Sequence, residues 1–176
     1  MLKKNWLIIL LAFVLPLIAV FAWWGGFNSV EISEAERGPY RFAYLEHTGD
    51  YARLPETQAR VRALMAQQNL ARGAAITVLL DDPRTVPKNQ LRARTGYLIA
   101  PSAQPATPLR LGEIPTRRVL VARVRAAALL APSKAYQALH DHLAAQHTDI
   151  RMPTVEIYDS PPEVYRIGEL SVEMER

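Results

Sequence analysis

The stretch "PTVEIYDSPP", residues 153–162, shows the short apolar alternation of a β-strand that ends in a turn. Val155 and Ile157 are predicted to point to one face of this strand, and Glu156 and Tyr158 to the other. The second face is unusual because it carries a carboxylate beside a tyrosine. The strand therefore raises two questions, namely what it pairs with and what its carboxylate does.

The elements around this strand occur twice in the same order, which predicts a duplicated fold. Each half reads as strand, helix, strand, strand, with apolar residues at helical spacing in the helices and alternating in the strands. Ser133 is the predicted N-cap of the second helix. We therefore predict an α+β fold in which two strand–helix–strand–strand units form an antiparallel sheet with two helices and a central cleft. The predicted elements are 40–49, 54–70, 74–83 and 91–101 in the first half, and 117–124, 133–147, 153–162 and 165–176 in the second.

Alignment of the two copies places a charge where the repeat predicts an interior residue. When the turns "DDP" (81–83) and "DSP" (159–161) are superposed, Glu156 corresponds to Val78 and Tyr158 to Leu80. A buried carboxylate without a partner costs several kcal/mol or takes up a proton. Two explanations are open at this point, an arginine of the same chain or a ligand that is cationic or donates hydrogen bonds.

Composition limits the class of protein. The chain has 176 residues, a formal charge of +4 and no cysteine. This length suits one domain, and the absence of cysteine excludes disulfides, thiolate metal sites and a cysteine nucleophile. The weak basic balance without a basic run gives no indication of a nucleic-acid partner. No cofactor is predicted, because no phosphate-binding loop, serine nucleophile motif or zinc motif occurs.

The N-terminal 27 residues are predicted to be a membrane anchor. The chain is strongly apolar over residues 6–24, long enough to cross a bilayer as one helix, so we expect one N-terminal transmembrane helix. Lys3 and Lys4 predict a cytoplasmic N-terminus, a single pass and a domain on the periplasmic side. A cleaved signal peptide is the alternative.

The remaining segments are predicted to be connectors. We divide the chain into the anchor at 1–27, a tether and first strand at 28–39, and the main domain at 40–176. Within this scheme, residues 25–29 read as a tether and 33–39 as a turn. Residues 101–115, with four prolines, read as a stiff connector between the halves.

Few other side chains form a pattern that is typical of a catalytic or metal-binding site. His47 is a candidate base, although a loop histidine is usually solvated. The Asp81–Asp82 pair precedes a proline and is predicted to cap backbone amides. His140 lies near two further histidines on the second helix, but their spacing does not suit one metal ion.

Residues from about 30 to 175 resemble the GyrI-like, AraC-effector-binding or SOUL-related ligand-binding domain. Four motifs in matching order carry the resemblance, namely "HTGDY" (47–51), "DDPRTVPKNQLRARTGYLI" (81–99), "GEIP" (112–115) and "VEIYDSPP" (155–162). Many relatives repeat an H-x-G-x-Y motif ahead of the second helix. This chain has "RVRAAALLAPSKAY" (123–136) there, so the second half-site is expected to differ.

The resemblance implies a ligand site. In multidrug-sensing members, the glutamate that matches Glu156 lies at the base of a pocket for cationic, aromatic compounds. Tyr158 is expected to face the same way. Tyr44, Tyr97 and Tyr136 are further ligand-binding candidates, because they are aromatic residues on elements predicted to face inward.

Three functions follow from these observations. The first is a membrane-anchored protein that binds a small cationic or aromatic molecule. The second is a hydrolase that uses the pocket glutamate, since some relatives are hydrolases. The third is a non-catalytic interaction module beside a membrane, although the sequence names no protein partner.

Overall fold

The structure is a computed structural model that describes residues 2–159 and 166–176, with only the backbone described at residues 2–5 and 7–9. Short 3₁₀ turns occur at Tyr51–Arg53 and Lys88–Gln90. The helices in this part of the chain are α1 (Leu2–Trp23), α2 (Leu54–Gln67) and α3 (Ala131–Ala144). The strands are β1 (Glu31–Arg37), β2 (Tyr40–Thr48), β3 (Ala75–Leu79), β4 (Arg92–Leu98), β5 (Arg110–Ile114), β6 (Arg117–Ala127), β7 (Thr154–Tyr158) and β8 (Ile167–Glu175).

The predicted duplication is confirmed. The strands form one antiparallel sheet in the order β1-β6-β8-β7-β3-β4-β2-β5. The unit β2-α2-β3-β4 supplies one half of this sheet, and the unit β6-α3-β7-β8 supplies the other. The halves meet where β3 pairs with β7, so the strand that carries Glu156 lies at the centre of the sheet.

The edge strands were predicted only in part. A first strand was expected within 28–39, and β1 lies there, but it takes up most of the turn predicted at 33–39; the predicted connector at 101–115 contains β5. Both strands are largely exposed and carry several charged residues, as edge strands commonly do, and such sequences lack clear apolar alternation. The two strands occupy equivalent positions, because β1 flanks β6 as β5 flanks β2.

The short connections force the sheet to curl. Residues 38 and 39 alone join β1 to β2, although these are the first and seventh strands of the sheet. A flat sheet would separate them by about 29 Å at the usual strand spacing, whereas three Cα steps reach only about 11 Å. The link from β5 to β6 imposes the same limit. The curled sheet encloses one face, here called the inner face, whose buried core is Phe42, Tyr44, Ile76, Val78, Val155 and Ile157.

The two helices of the repeat pack on the opposite, outer face. Val61 and Met65 are the buried residues of α2, and α3 buries Ala135, Leu139 and Leu143 among others. Each helix contacts the strands of its own half. The central strands β3 and β7 therefore form the floor of a cleft between the helices.

Both helices begin where a proline stands in the first turn, a position at which the missing N–H costs little. The predicted N-cap at Ser133 is wrong, because α3 begins two residues earlier. The Ser133 hydroxyl instead donates to the carbonyl of Leu130 at 2.9 Å.

The register of the repeat differs by one residue from the alignment made on the turns. β3 and β7 pair with each other about Thr77 and Glu156, the central residue of each strand. The equivalent of Glu156 is therefore Thr77 and not Val78, and Tyr158 corresponds to Leu79. The strands are equivalent as predicted. However, the outer face of the first copy is not wholly apolar, because it carries the buried Thr77.

The predicted tether at 25–29 is a turn packed on the domain. The backbone N–H of Ala127 donates to the Trp24 carbonyl at 2.9 Å. Lys134 Nζ donates to the Gly26 carbonyl at 2.6 Å. Gly25 is buried at a positive φ and so close to the backbone of β6 that a side chain would collide with it. The end of α1 is therefore fixed against the start of α3.

The predicted transmembrane helix is not supported by the structure. Within residues 2–159 and 166–176, no helix is both long enough and apolar enough to cross a membrane.

Candidate ligand-binding cleft

The cleft over β3 and β7 contains two cavities that meet at Glu156. The first lobe has a volume of about 610 Å³ and extends along α3. The second lobe has a volume of about 560 Å³ and extends along α2. Both volumes lie within the range of sites for small organic ligands. Tyr51, Leu54, Pro132 and Glu156 line both lobes, so the two cavities form one site.

Glu156 is a buried carboxylate whose charge no cation of the described residues balances. Its side chain projects from β7 onto the cleft floor and is only 8% exposed. Burial raises the pKa of this carboxyl to about 7, and a hydrogen bond from the Tyr136 hydroxyl opposes that rise. Among the ion pairs of the described residues, none involves Glu156. The first explanation left open by the sequence, an arginine of the same chain, is thus not what this part of the structure contains.

A second buried glutamate, Glu173, differs from Glu156 because arginines balance its charge. Glu173 on β8 faces the inner side and is 1% exposed. It pairs with Arg117 at 3.0 Å, lies 4.0 Å from Arg37, and accepts a 2.6 Å hydrogen bond from the Tyr40 hydroxyl. The sequence pattern did not single out Glu173, so this network was missed. Its role is structural, because it joins β1, β2, β6 and β8 across the curled sheet.

Three of the four predicted tyrosines lie at the cleft. Tyr136 lines the first lobe, and Tyr97 and Tyr158 line the second. Tyr44 lies on the inner face of the sheet, where Arg94 stacks 5.5 Å from its ring centre. It does not line either lobe, because residues of β2 alternate between faces and Tyr44 falls on the wrong one.

Tyr136 and Tyr158 stay neutral at physiological pH. Burial raises the pKa of Tyr136 well above its usual value, and the nearby Glu156 carboxylate raises it further. The same two causes, in the same order, raise the pKa of Tyr158. The Tyr136 hydroxyl also lies 2.7 Å from Thr154 Oγ1, which fixes its position beside the carboxylate. These rings therefore offer apolar faces and neutral hydroxyls around the Glu156 carboxylate. The first lobe also contains Asp82, whose charge is paired with Arg84 at 2.8 Å.

Tyr51 is a cleft residue that the sequence interpretation did not single out. Its hydroxyl lies 2.9 and 2.8 Å from the backbone carbonyl oxygens of Asp81 and Arg92 and can donate its one proton to either, which holds the ring at the junction of the lobes. The signal was present, since Tyr51 ends the "HTGDY" motif. The equivalent position in the second half is Ala128, which lines the second lobe. Because the second half has an alanine where the first half has Tyr51, the two lobes have different walls, as expected.

The other candidates were not predicted to bind a ligand, although two of them, Asp82 and His140, also line the first lobe. His47 is buried on β2, with its ring nitrogens 2.9 Å from Thr57 Oγ1 and 3.1 Å from the Asp50 carbonyl, and it lines neither lobe. Asp81 and Asp82 accept from the backbone N–H groups of Arg92 and Arg84, each at 2.8 Å, which confirms the predicted capping role. In the part of the chain described, no cluster of acidic or histidine side chains has the arrangement of a metal site.

Solved structures share this fold at low sequence identity. The EcmrR–DNA complex studied by cryo-EM matches with a TM-score of 0.66 and 9% identity, over 99% of this chain and 68% of that one. SAV2435 bound to tetraphenylphosphonium matches with a TM-score of 0.56 and 11% identity, over 82% and 94%. A hydrolase from Listeria innocua matches with a TM-score of 0.51 and 10% identity, over 86% and 95%.

No curated protein sequence was found to match this chain. The family model for the GyrI-like small molecule binding domain matches residues 30–175, which includes every strand and both helices of the repeat. The chain belongs to the GyrI-like small molecule binding domain family.

Proposed function

We propose that this protein binds small cationic, aromatic molecules in its cleft and that the Glu156 carboxylate supplies the matching charge. The observation that carries the proposal is the buried acid of Glu156, for which the described residues offer no counter-ion. Keeping a carboxylate out of water without a partner costs free energy. A cationic ligand would supply the missing partner and would recover that cost on binding.

The cleft walls support the same ligand chemistry. Tyr51, Tyr97, Tyr136 and Tyr158 surround the acid, and aromatic faces attract organic cations in desolvated sites. The related fold of SAV2435 was solved with tetraphenylphosphonium, a cation surrounded by aromatic rings. Tetraphenylphosphonium is therefore a suitable first probe for this protein.

Cation binding is expected to strengthen as the pH rises through 7. The pKa of Glu156 is raised to about 7, so below that pH the site holds a proton that a cation must displace. From this coupling, the affinity for tetraphenylphosphonium should be about tenfold higher at pH 8 than at pH 6. The measurement is isothermal titration calorimetry of the full chain in mild detergent, in buffers of different ionisation enthalpy that report the released proton.

The probe carries a permanent charge, so a pH effect of this kind can arise only from the protein. Equal affinity at pH 6 and pH 8, without proton release, would contradict the assignment of Glu156 as the charge that meets the ligand.

A hydrolase is the second candidate function. A buried acid with a pKa of about 7, hydrogen-bonded to Tyr136, also suits a general base at neutral pH. Turnover of a bound compound that stops in Glu156→Gln, while binding persists, would identify this function.

We propose further that residues 6–24 attach the domain to a membrane, with the N-terminus in the cytoplasm and the domain on the periplasmic side. The proposal rests on the uncharged, apolar sequence after Lys3 and Lys4. In addition, the described apolar side chains of α1, such as Phe13 and Leu17, are exposed and are not covered by the domain.

The protein is accordingly expected to remain in the membrane fraction after alkaline washing, and its domain to be accessible to protease only from the periplasmic side. Release by high salt would argue against attachment through α1. Release of a shortened chain would indicate a cleaved signal peptide instead.

A further inference from the structure

Thr77 and Thr95 form a buried hydroxyl pair on the floor of the second lobe. Their Oγ1 atoms lie 2.9 Å apart, and the residues are 6% and 0% exposed. Thr77 stands opposite Thr95 on β4 and opposite Glu156 on β7. Paired residues of antiparallel strands point to the same face, so the three side chains form a row across three adjacent strands, here called the polar row.

The polar row extends from Glu156 in one direction only. On the other side, the register partner of Glu156 on β8 is Val172, which is fully buried and apolar. All three members of the polar row line the second lobe, whereas the first lobe contacts Glu156 alone among them. A ligand group that uses the whole row must therefore lie in the second lobe.

The polar row is rich in acceptors and poor in donors. Each threonine hydroxyl has one proton and two lone pairs, so the bond between the pair leaves one proton and three lone pairs unused. An ionised carboxylate only accepts, so Glu156 adds acceptors and no donor to the row. The group that complements this floor is a positive charge that carries several hydrogen-bond donors.

We propose that the polar row selects ligands whose charge is a protonated amine over quaternary ions of similar shape. This inference rests on the proposed function, because it concerns the same cation in the same cleft. Residues paired across antiparallel strands have Cβ atoms about 4.5–5.5 Å apart, so one ligand nitrogen can donate to both Glu156 and Thr77. A quaternary ion has no N–H group and gains nothing from the hydroxyls. Arg62, a cation that also lines this lobe, is exposed, so solvent screens its repulsion.

The test compares 2-naphthylmethylammonium with its N,N,N-trimethylated analogue at pH 8, using wild type and the double variant Thr77→Val/Thr95→Val. Replacing both hydroxyl partners by a side chain of the same shape leaves no buried group unpaired, so the unliganded melting temperature should change little. The double variant should bind the primary ammonium about 10-fold or more weakly, because a hydrogen bond to a charged group is lost. Its affinity for the trimethylated analogue should change by less than about 2-fold.

Two further variants make the comparison specific. Thr48→Val, at the exposed end of β2, is the control for the substitution itself and should affect neither probe. Thr77→Ser keeps the hydroxyl and should retain the wild-type preference between the probes. Loss of the preference in Thr77→Ser would overturn the inference even if the double variant failed to fold.

The outcomes separate this inference from the proposed function. If the double variant weakens both probes equally, or neither, the hydroxyls do not select the amine and the inference is overturned. If the trimethylated analogue binds and depends on Glu156, the proposed function stands despite that result. If neither probe raises the melting temperature of the wild type, both the inference and the proposed function are contradicted.

Discussion

Glu156→Gln is expected to make the unliganded protein more stable at pH 8, by up to about 3 kcal/mol. The wild-type carboxyl has its pKa raised from 4.5 to about 7 by burial, and each pKa unit corresponds to about 1.4 kcal/mol. The sign follows from proton binding. Between pH 4.5 and 7 the folded state retains a proton that the unfolded state has lost, so wild-type stability falls as the pH rises through this window. Glutamine does not titrate, and the variant avoids this loss.

Chemical denaturation at pH 5 and pH 8 measures the effect. The difference between Glu156→Gln and wild type should be small at pH 5 and reach its full size at pH 8. Glu175→Gln, an exposed change at the end of β8, is the control and should leave stability nearly unchanged. A variant that is several kcal/mol less stable than wild type at pH 8 would show that a cation of the protein pairs with Glu156.

Glu173→Gln is expected to act in the opposite direction and to destabilise the protein by roughly 3–5 kcal/mol. The substitution removes the charge that Arg117 meets at 3.0 Å and leaves that arginine, whose side chain is only 10% exposed, without its counter-ion. It also weakens the 2.6 Å hydrogen bond from the Tyr40 hydroxyl. Because these residues connect distant strands of the curled sheet, the whole domain should unfold at lower denaturant concentration.

Tyr40→Phe provides a graded comparison for this network. It removes one hydrogen bond but leaves the ion pair intact, so its cost should be about 1–3 kcal/mol, below that of Glu173→Gln. Stability of Glu173→Gln equal to wild type would contradict the structural role of Glu173, and with it the contrast between the paired and the unpaired acid.

The repeated order of elements could be predicted from the sequence because periodicity and turn residues are local signals. The helices around Val61 and Leu139 were predicted for this reason, and both are confirmed. The bounds of β1 and the whole of β5 escaped prediction because largely exposed strands with many charged residues lack clear apolar alternation. The positions of these two strands in the sheet depend on how the sheet curls. That curl follows from the two-residue connections and can be seen only once both strands are known.

The site could be predicted in part. Glu156 stood out because a carboxylate replaced an interior residue of the repeat, although the turns gave an alignment that was one residue out. Tyr44 was included because its aromatic character was visible but its face was not. Thr77 was missed, since its hydroxyl becomes recognisable as part of the cleft only when the strand register brings it beside Glu156. Tyr51 was missed although it ends the "HTGDY" motif, because it reaches the cleft from a 3₁₀ turn that was not predicted.

Glu173 is a further case in which the sequence could not predict the environment of a side chain. Glu156 and Glu173 are both strand glutamates with apolar neighbours in the sequence, and both are buried. What distinguishes them is the set of residues across the sheet, which are distant in the chain. Arg117 and Tyr40 reach Glu173, whereas the described residues provide no cation for Glu156. The sequence pattern alone does not contain this difference.

The most direct test of the central claim is the affinity for tetraphenylphosphonium at pH 8, measured by calorimetry on wild type, Glu156→Gln and the control Glu175→Gln. If the unpaired carboxylate is what meets the cation, Glu156→Gln should bind at least about 30-fold more weakly, a loss of about 2 kcal/mol, while Glu175→Gln binds like wild type. Wild-type affinity in Glu156→Gln would contradict the account.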